Sequence, residues 1–431
     1  MHVKPAMTLD TSLQESIWAE TAPPVHFPIL EGKIRAQVAI IGGGYTGCVA
    51  ALRLAERGVD VVLLEGREIG WGGSGRNSGL VNAGLWLNPS EIVRHLGEIY
   101  GSKLIKGLGD TPRMVRELIE RHTIDCDVGG AGIVKAAHSN SALSKVSETV
   151  RQWQSLGAAV ELLDADDVAK LTGTRRYPGG LLDHRSFTIE PLAYARGLAK
   201  AASKAGARIF VGSPVHMLEP IPQGVRLSTN RGDVAADRVI VATGAYDSKL
   251  VRGMERGFVP LGYHLFATEP LTANLREVVL PGKMALWDTS PSLLTLRYDR
   301  DYRLLVGNLG WLPAARSGHK WALSVLQSAF PQVGSVRFTH GWSGTLDFTD
   351  NHMPWLARPR PNIYMVGGFN GRGIGPGAYW GGVLADWAMG FPDADLPVPV
   401  TGPPDIRFRS AKRHIFSTAF RISRKASQLL R

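Results

Sequence analysis

The 431-residue chain is 44% apolar, 20% charged and 8% aromatic, an ordinary globular balance that excludes a disordered protein. Its 50 Gly and 26 Pro follow no G-X-Y period, which excludes a collagen-like chain, and no apolar run reaches the about 18 residues that would suggest a membrane span. The formal charge of +11 is concentrated at one end: residues 405–431 carry eight basic side chains against Asp405, leaving +4 for the body, so nucleic acid is not expected as a partner.

The opening segment, MHVKPAMTLDTSLQ, has no apolar core behind its charges and does not read as a secretory signal. Two cysteines, Cys48 and Cys126, build neither a disulfide framework nor a thiolate-rich zinc site. A cytoplasmic location and no metal are therefore expected.

Residues 37–42 form a short β-branched run, and Gly42-Gly43-Gly44-Tyr45-Thr46-Gly47 follows at once. A stretch of helical period, Cys48–Arg57, comes next, then the apolar run Val59–Leu64 ending in Glu65. Gly42, Gly44 and Gly47 fill the three places of G-x-G-x-x-G in a strand–turn–helix–strand unit. The first permits the tight turn, the second lets backbone approach a pyrophosphate, and the third lets helix pack on strand. The helix N-terminus then offers unpaired N–H groups to the phosphates. Glu65, 18 residues after Gly47, suits a ribose hydroxyl and repels a 2′-phosphate. A glycine-rich turn in an unrelated α/β domain is the alternative, and the motif alone does not choose between NAD and FAD.

Further segments favour a flavin. Gly70–Gly79 lays many backbone N–H groups in reach of a diphosphate and a flat ring, with Arg76 adding positive charge. Val239–Ala245 is a buried-strand pattern closing on small residues, and Leu261–Ala267, Leu293–Tyr298 and Arg303–Val306 read as further strands. Ile363–Val366 reads as a strand leading into Gly367–Gly375, and Ala378–Met389 as the helix behind it. A helix starting beside a flavin offers its dipole to the charge that develops at N1–C2=O on reduction. There is no second complete dinucleotide fingerprint, and G-x-S-x-G, H-E-x-x-H and G-x-x-x-x-G-K-[ST] are absent. Seven of the eleven tryptophans (Trp287, Trp311, Trp321, Trp342, Trp355, Trp380 and Trp387) crowd residues 287–387. They suggest an aromatic wall that suits an amine, although core packing accounts for such rings as well.

The segments VAIIGGGYTG…LLEGREIGWGGSGRNSG, VIVATGAY and GFNGRGIGPGAYWGG resemble the D-amino-acid-oxidase-type (DAO) flavoprotein superfamily. Within it they are most similar to the branch of gamma-glutamylputrescine oxidoreductases and related glycine or amine oxidoreductases. The likeness runs over about residues 12–395. It implies an α/β (α+β) architecture, a Rossmann-like FAD domain interleaved with a substrate domain on a large mixed sheet. The expected division is an N-terminal extension (1–33), an FAD-binding domain (34–95, 188–250 and 340–395), a substrate domain (96–187 and 251–339) and a linker with a basic C-terminal helix (396–431).

The resemblance places Gly42, Gly44, Tyr45, Thr46 and Gly47 at the pyrophosphate and Glu65 at the adenosine ribose. It places Gly73, Ser74, Arg76, Asn77, Ser78 and Gly79 under the flavin, Val215 at adenine, Ala242, Thr243 and Gly244 at a second nucleotide contact, and Gly371, Arg372, Gly373 and Ile374 at the pyrimidine end of the ring. Some relatives attach FAD through a late cysteine or a histidine near the glycine loop; this chain has neither, so noncovalent FAD is expected. Some oxidase relatives also place near the flavin a lysine that activates oxygen; Leu305 stands there, so oxygen or another electron acceptor is left open.

Tyr263, His264, Arg297 and Tyr298 are the pocket candidates, arginine for a substrate carboxylate and tyrosine to orient the amine, with strand alternation allowing only one of Tyr263 and His264 on the flavin side. Arg372 is the electrostatic candidate beside the ring. The implied reaction oxidises a C–N bond of a small amine or amino acid by hydride transfer to flavin N5, giving an imine that hydrolyses. An FAD-bound sensor or assembly partner and an NAD-dependent dehydrogenase are the alternatives. In the tail, Ile415, Phe416, Ala419, Phe420, Ala426 and Leu430 fall on one helical side and Arg413, Arg421, Arg424, Lys425 and Arg431 mostly opposite. Docking on the body is the expectation for that helix, ahead of peripheral membrane contact.

Overall fold

Buried β-branched runs decide the first sheet. Val38–Ile41 and Val61–Leu64 are apolar on both faces, the pattern of parallel strands covered on each side. The computed structural model describes residues 13–416 and 418, apart from 131, 247–248 and 311–314, with backbone alone for 315–317. Gly32–Ile41 is flanked in parallel by Val61–Leu64 and Gly232–Val241, and the sheet continues through Arg208–Phe210 on one side. On the other it continues through Ile363–Gly367 and Trp355–Arg360. The hairpin Met217–Ile221 and Gly224–Ser228 pairs with the early half of Gly232–Val241. The register sets Ile41 beside Leu64 and Val241, and Val241 beside Met365. Parallel strands thus end at one level, where Gly42, Glu65 and Ala242 follow Ile41, Leu64 and Val241. That edge is where α/β sheets take nucleotides.

Helices Tyr45–Ala55 and Ile374–Ala388 cross closely because the second presents Gly377 and Gly381 to the first. A Cβ at Gly377 would stand 2.8 Å from Tyr45 Cβ, and one at Gly381 would stand 2.7 Å from the Thr46 carbonyl. This approach brings the N-termini of both helices to the same strand ends.

The second sheet is mixed, in the order Phe338–Phe348, Val259–Pro270, Arg303–Leu309, Thr295–Tyr298, Ala285–Asp288, Ile133–Ala136, Gly179–Asp183, Val160–Asp164. Its one parallel pairing joins Ala285–Asp288 to Ile133–Ala136. The expected boundary at residue 340 falls inside Phe338–Phe348, which pairs along its length with Val259–Pro270 in this sheet. Alternation divides its faces. Leu296, Tyr298, Leu304, Val306 and Phe266 pack in a core under helix Ala315–Ala329, while Tyr263, Leu265 and Leu305 join the core shared with the first sheet.

The N-terminal residues are structural. Ser16 caps helix Ile17–Thr21 by accepting the Ala19 N–H. Trp18, 1% exposed, donates its indole N–H to the Asn77 carbonyl (3.0 Å) and meets Trp342 edge-on. At the other end, Ile406 is buried beside Val259 and Leu261. Arg409 donates to the Phe258 carbonyl, and Lys412 pairs with Asp350 at 2.6 Å. The tail therefore docks at its start, whereas Ile415 and Phe416 are exposed. The remainder of the expected amphipathic helix, from residue 419 on, lies outside the described residues.

Trp18→Ala removes a large buried ring together with a hydrogen bond to the glycine-rich loop. It should destabilise the fold by about 3–5 kcal/mol. Thermal and denaturant melts check this, and an unchanged midpoint would show that the N-terminal turn is dispensable.

Candidate active site

A cavity of about 380 Å³ opens at the strand ends of the first sheet. Gly42, at φ +109°, makes the turn out of the first strand, and a Cβ there would meet the Ala242 carbonyl at 2.6 Å. A Cβ at Gly47 would lie 1.9 Å from the Gly42 carbonyl. Only glycine closes this turn, and the N-cap Gly44 brings no capping side chain between the N-terminus of Tyr45–Ala55 and the cavity. Glu65 lies at its edge and accepts N–H bonds from Gly43 (2.7 Å) and Arg67 (2.8 Å), while burial raises its carboxyl pKa. Each of its oxygens keeps a lone pair for a further donor. Val215, Ala242, Thr243 and Gly244 complete this end.

The glycine-rich segment 70–79 is locked from beneath. Ser74 Oγ accepts the Tyr45 N–H, the Tyr45 hydroxyl donates to the Ser74 carbonyl, and Asn77 donates to the Gly73 and Ser74 carbonyls while accepting the Gly79 N–H. Gly73, Ser74 and Asn77 face the cavity. Arg76 departs from its expected role: it is 2% exposed, and its guanidinium donates to the Trp71 and Ser343 carbonyls and lies against the Trp71 ring. It fastens the segment to the second sheet and does not line the cavity.

A second cavity of about 80 Å³ shares Asn77, Gly371 and Gly373 with the first, and adds Ser78, Arg372, Ile374, Trp86 and Trp287. The two rings meet edge-on at 5.4 Å. Of the seven tryptophans, Trp287 alone lines these spaces among those described; Trp321, Trp342, Trp355, Trp380 and Trp387 are core, and Trp311 lies outside the described residues. Trp86, outside that cluster, supplies the other half of the wall.

None of the four pocket candidates lines either cavity, for reasons of strand parity or hydrogen bonding. Tyr298 faces the far core and donates to the Val279 carbonyl, and His264 stacks beside Phe266 on that same face. Arg297 is on the nearer face and 1% exposed, but its guanidinium donates to the carbonyls of Ser78, Gly79, Ile189 and Tyr298, with Asp127 3.8 Å away. Those acceptors occupy it, so it clamps the backbone and leaves no fork for a substrate. Tyr263 is also on the nearer face, its hydroxyl buried over Gly344 in the adjacent strand and outside the cavity lining. Arg372 does line the second cavity. Its guanidinium donates to the Ala83 carbonyl at 2.6 Å and lies 4.9 Å from the Trp86 ring centroid, and burial pulls its pKa down to about 10.

Residues beyond the sequence candidates complete the site. Tyr246 accepts the Thr345 N–H and meets Trp71 edge-on along the large cavity. Asp347, 6% exposed, accepts the N–H groups of Gly368 and Phe369, and burial pushes its carboxyl up to about 6. Nothing in its local sequence marks it, because the turn it caps lies about twenty residues on.

The match to the family model for FAD dependent oxidoreductases (DAO) spans residues 37–387. The chain belongs to that family. It is 34% identical over 378 residues to the gamma-glutamylputrescine oxidoreductase of Escherichia coli K12, covering 85% of this chain and 86% of that protein. To the probable oxidoreductase OrdL of Haemophilus influenzae it is 31% identical over 373 residues, covering 84% and 85%. The crystal structure of glycine oxidase from Geobacillus kaustophilus superposes with a TM-score of 0.72 at 21% identity, covering 86% of this chain and 99% of that one. The mixed α/β fold and the dependence on FAD expected from sequence are thereby established, and the NAD-dependent alternative is set aside. The glycine cradle, the helix N-terminus at Gly44 and Glu65 fit the dinucleotide end of FAD.

Arg297→Ala leaves buried carbonyls without donors and should cost about 2–4 kcal/mol of stability. A melting midpoint that does not move, with a Michaelis constant that rises, would return Arg297 to substrate binding. For Asp347 the raised pKa means that the folded chain binds the proton more tightly. Its stabilising contribution is present below the unfolded value of about 4 and is lost as pH rises toward 6. Melts of parent and Asp347→Asn across that window should therefore diverge in the variant's favour as pH rises.

Proposed function

We propose that this FAD-dependent oxidoreductase oxidises the C–N bond of a small amine or amino acid. The observation that carries this is adjacency. The cavity at the dinucleotide end and the Trp86–Trp287 chamber share Asn77, Gly371 and Gly373, and the two rings of the chamber form a wall against which a substrate's chain would pack. The relatives' names, gamma-glutamylputrescine oxidoreductase and glycine oxidase, support the same chemistry.

When bound, FAD supplies the acceptor for the hydride that leaves the carbon next to nitrogen. The chain's part is to orient and exclude. Trp86 and Trp287 wall the substrate off from water, and Gly371 and Gly373 let backbone approach closely. The N-terminus of Ile374–Ala388 and the Arg372 guanidinium place positive potential beside the Gly371–Gly373 loop. The substrate nitrogen gives up a proton as the hydride leaves, and the resulting imine takes up water to release a carbonyl compound and the free amine.

We assign FAD as noncovalently held, since Cys48 and Cys126 are buried and neither lines the cavities. Oxygen or another acceptor takes the electrons, and a cytoplasmic setting accords with the sequence reading. No described helix is long and apolar enough to cross a membrane.

Anaerobic addition of amines and amino acids to the yellow holoenzyme should bleach the flavin with one class, and admitting air should then separate oxidase from dehydrogenase. A bound flavin that no member of either class reduces would overturn the proposal. Acid precipitation should leave the colour in the supernatant; colour retained in the pellet would mean covalent attachment.

A further inference from the structure

Beyond the aromatic chamber lies a third cavity, of about 40 Å³, sharing Asn82, Trp86, Trp287 and Arg372 with the second. A water needs roughly 10–15 Å³, so this end has room for a group such as a carboxylate. The ionisable side chains lining it are three cations, Lys135, Arg185 and Arg372, and one acid, Asp183. The acid is already engaged, since Arg185 holds both of its oxygens at 2.9 and 2.8 Å. Lys135 and Arg372 are left facing the space together.

Their placement follows from the sheet. Lys135 stands in register with Trp287 across the single parallel pairing, so both project from one face, toward the chamber. The Lys135 ammonium lies 5.3 Å from the Trp287 ring centroid, and the Arg372 guanidinium lies 5.5 Å from it. Among the described residues Lys135 has no ion pair, and the buried Nε of Arg372 has no hydrogen-bond partner. Burial, reinforced by repulsion from Arg372, pulls the Lys135 pKa down to about 8. Two like charges half-buried against the same ring are a standing cost that a bound anion would relieve.

We propose that Lys135 and Arg372 form a carboxylate subsite, so that the preferred substrate is an amine bearing an acid group at the end remote from the oxidised C–N bond. This deepens the amine-oxidoreductase reading and rests on it. The aromatic pair takes the alkyl chain, Arg372 spans both cavities, and Lys135 sets the far limit. Arg297, the arginine that sequence favoured for a carboxylate, is occupied by backbone carbonyls and cannot serve.

The test uses the holoenzyme with paired probes of equal length, linear ω-amino acids against the matching alkylamines, together with simple aliphatic carboxylates as ligands that cannot be oxidised. The native enzyme should favour the ω-amino acid by about ten- to hundred-fold in kcat/KM, chiefly through KM, and a carboxylate should perturb the flavin spectrum saturably. Lys135→Met, close to isosteric, should collapse the KM ratio between the paired substrates and abolish the spectral response, and Lys135→Arg should restore much of both. Equal use of the two probes by the native enzyme, or a ratio and spectral response unaltered by Lys135→Met, would overturn the subsite while leaving amine oxidation standing. Carboxylate binding that depends on Lys135, in an enzyme whose flavin no amine reduces, would sustain the subsite and overturn the amine-oxidoreductase reading.

Discussion

The structure hangs on the need of one buried guanidinium for acceptors. Arg297 sits on the second sheet, and a desolvated cation there is tolerable only with its N–H groups satisfied. It finds the carbonyls of Ser78, Gly79 and Ile189, which belong to the segments that join the two sheets. Arg76 does the converse from the glycine-rich segment, donating to Ser343, while the Trp342 indole donates to the Arg76 carbonyl. Trp18 adds a bond to Asn77 from the N-terminal turn. The glycine-rich segment is therefore held from both sheets and from the N-terminal turn. Rigidity of this kind is what positions a substrate carbon against a flat ring to within fractions of an ångström.

That clamp also explains why the site reads unevenly from sequence. The dinucleotide end was legible because its constraints are local: Gly42 must adopt positive φ, Gly47 must admit a carbonyl at its Cα, and Glu65 must end the second strand. Each requirement selects a residue type within about 25 positions. The pocket end depends on pairings more than 100 residues apart. Alternation along Thr295–Tyr298 could say that Arg297 and Tyr298 face opposite ways, but the face toward the flavin was set only by the pairings with Arg303–Leu309 and Ala285–Asp288. Nor does an arginine's sequence context reveal whether its donors go to a ligand or to backbone. Lys135 carried one faint signal, a single charge in the otherwise apolar strand Ile133–Ala136. Its meaning emerged only from its register with Trp287.

The sheets divide the work by chemistry as well as by sequence. The parallel sheet contributes backbone: strand ends, glycine turns and helix N-termini, whose fixed dipoles suit phosphates and a developing negative charge. The mixed sheet contributes side chains, because the face it turns toward the first sheet can vary residue by residue without disturbing the ladder. Arg372 stands where the two meet, on a loop of the first sheet with its guanidinium against Trp86 and against Trp287 of the second. Under the proposed function, a cation there would serve both the reduced state of the ring and the binding of an anionic substrate end.

Arg372 alone would have to solve two problems together, and under the proposed subsite Lys135 shares the second. A cation held tightly by a substrate carboxylate is less available to stabilise charge on the ring, and one committed to the ring binds substrate weakly. With Arg297 spent on the clamp and Arg372 beside the ring, a second cation is needed at the far wall. Lys135 suits that position: its single ammonium on a flexible stem can reach an acid group without the planar fork that Arg372 offers. Burial lowers its pKa, and an arriving carboxylate would raise it again. Selectivity would then come from the desolvated cations. An uncharged chain end would leave both of them unpaired in a low-dielectric pocket, a penalty that shape alone cannot impose.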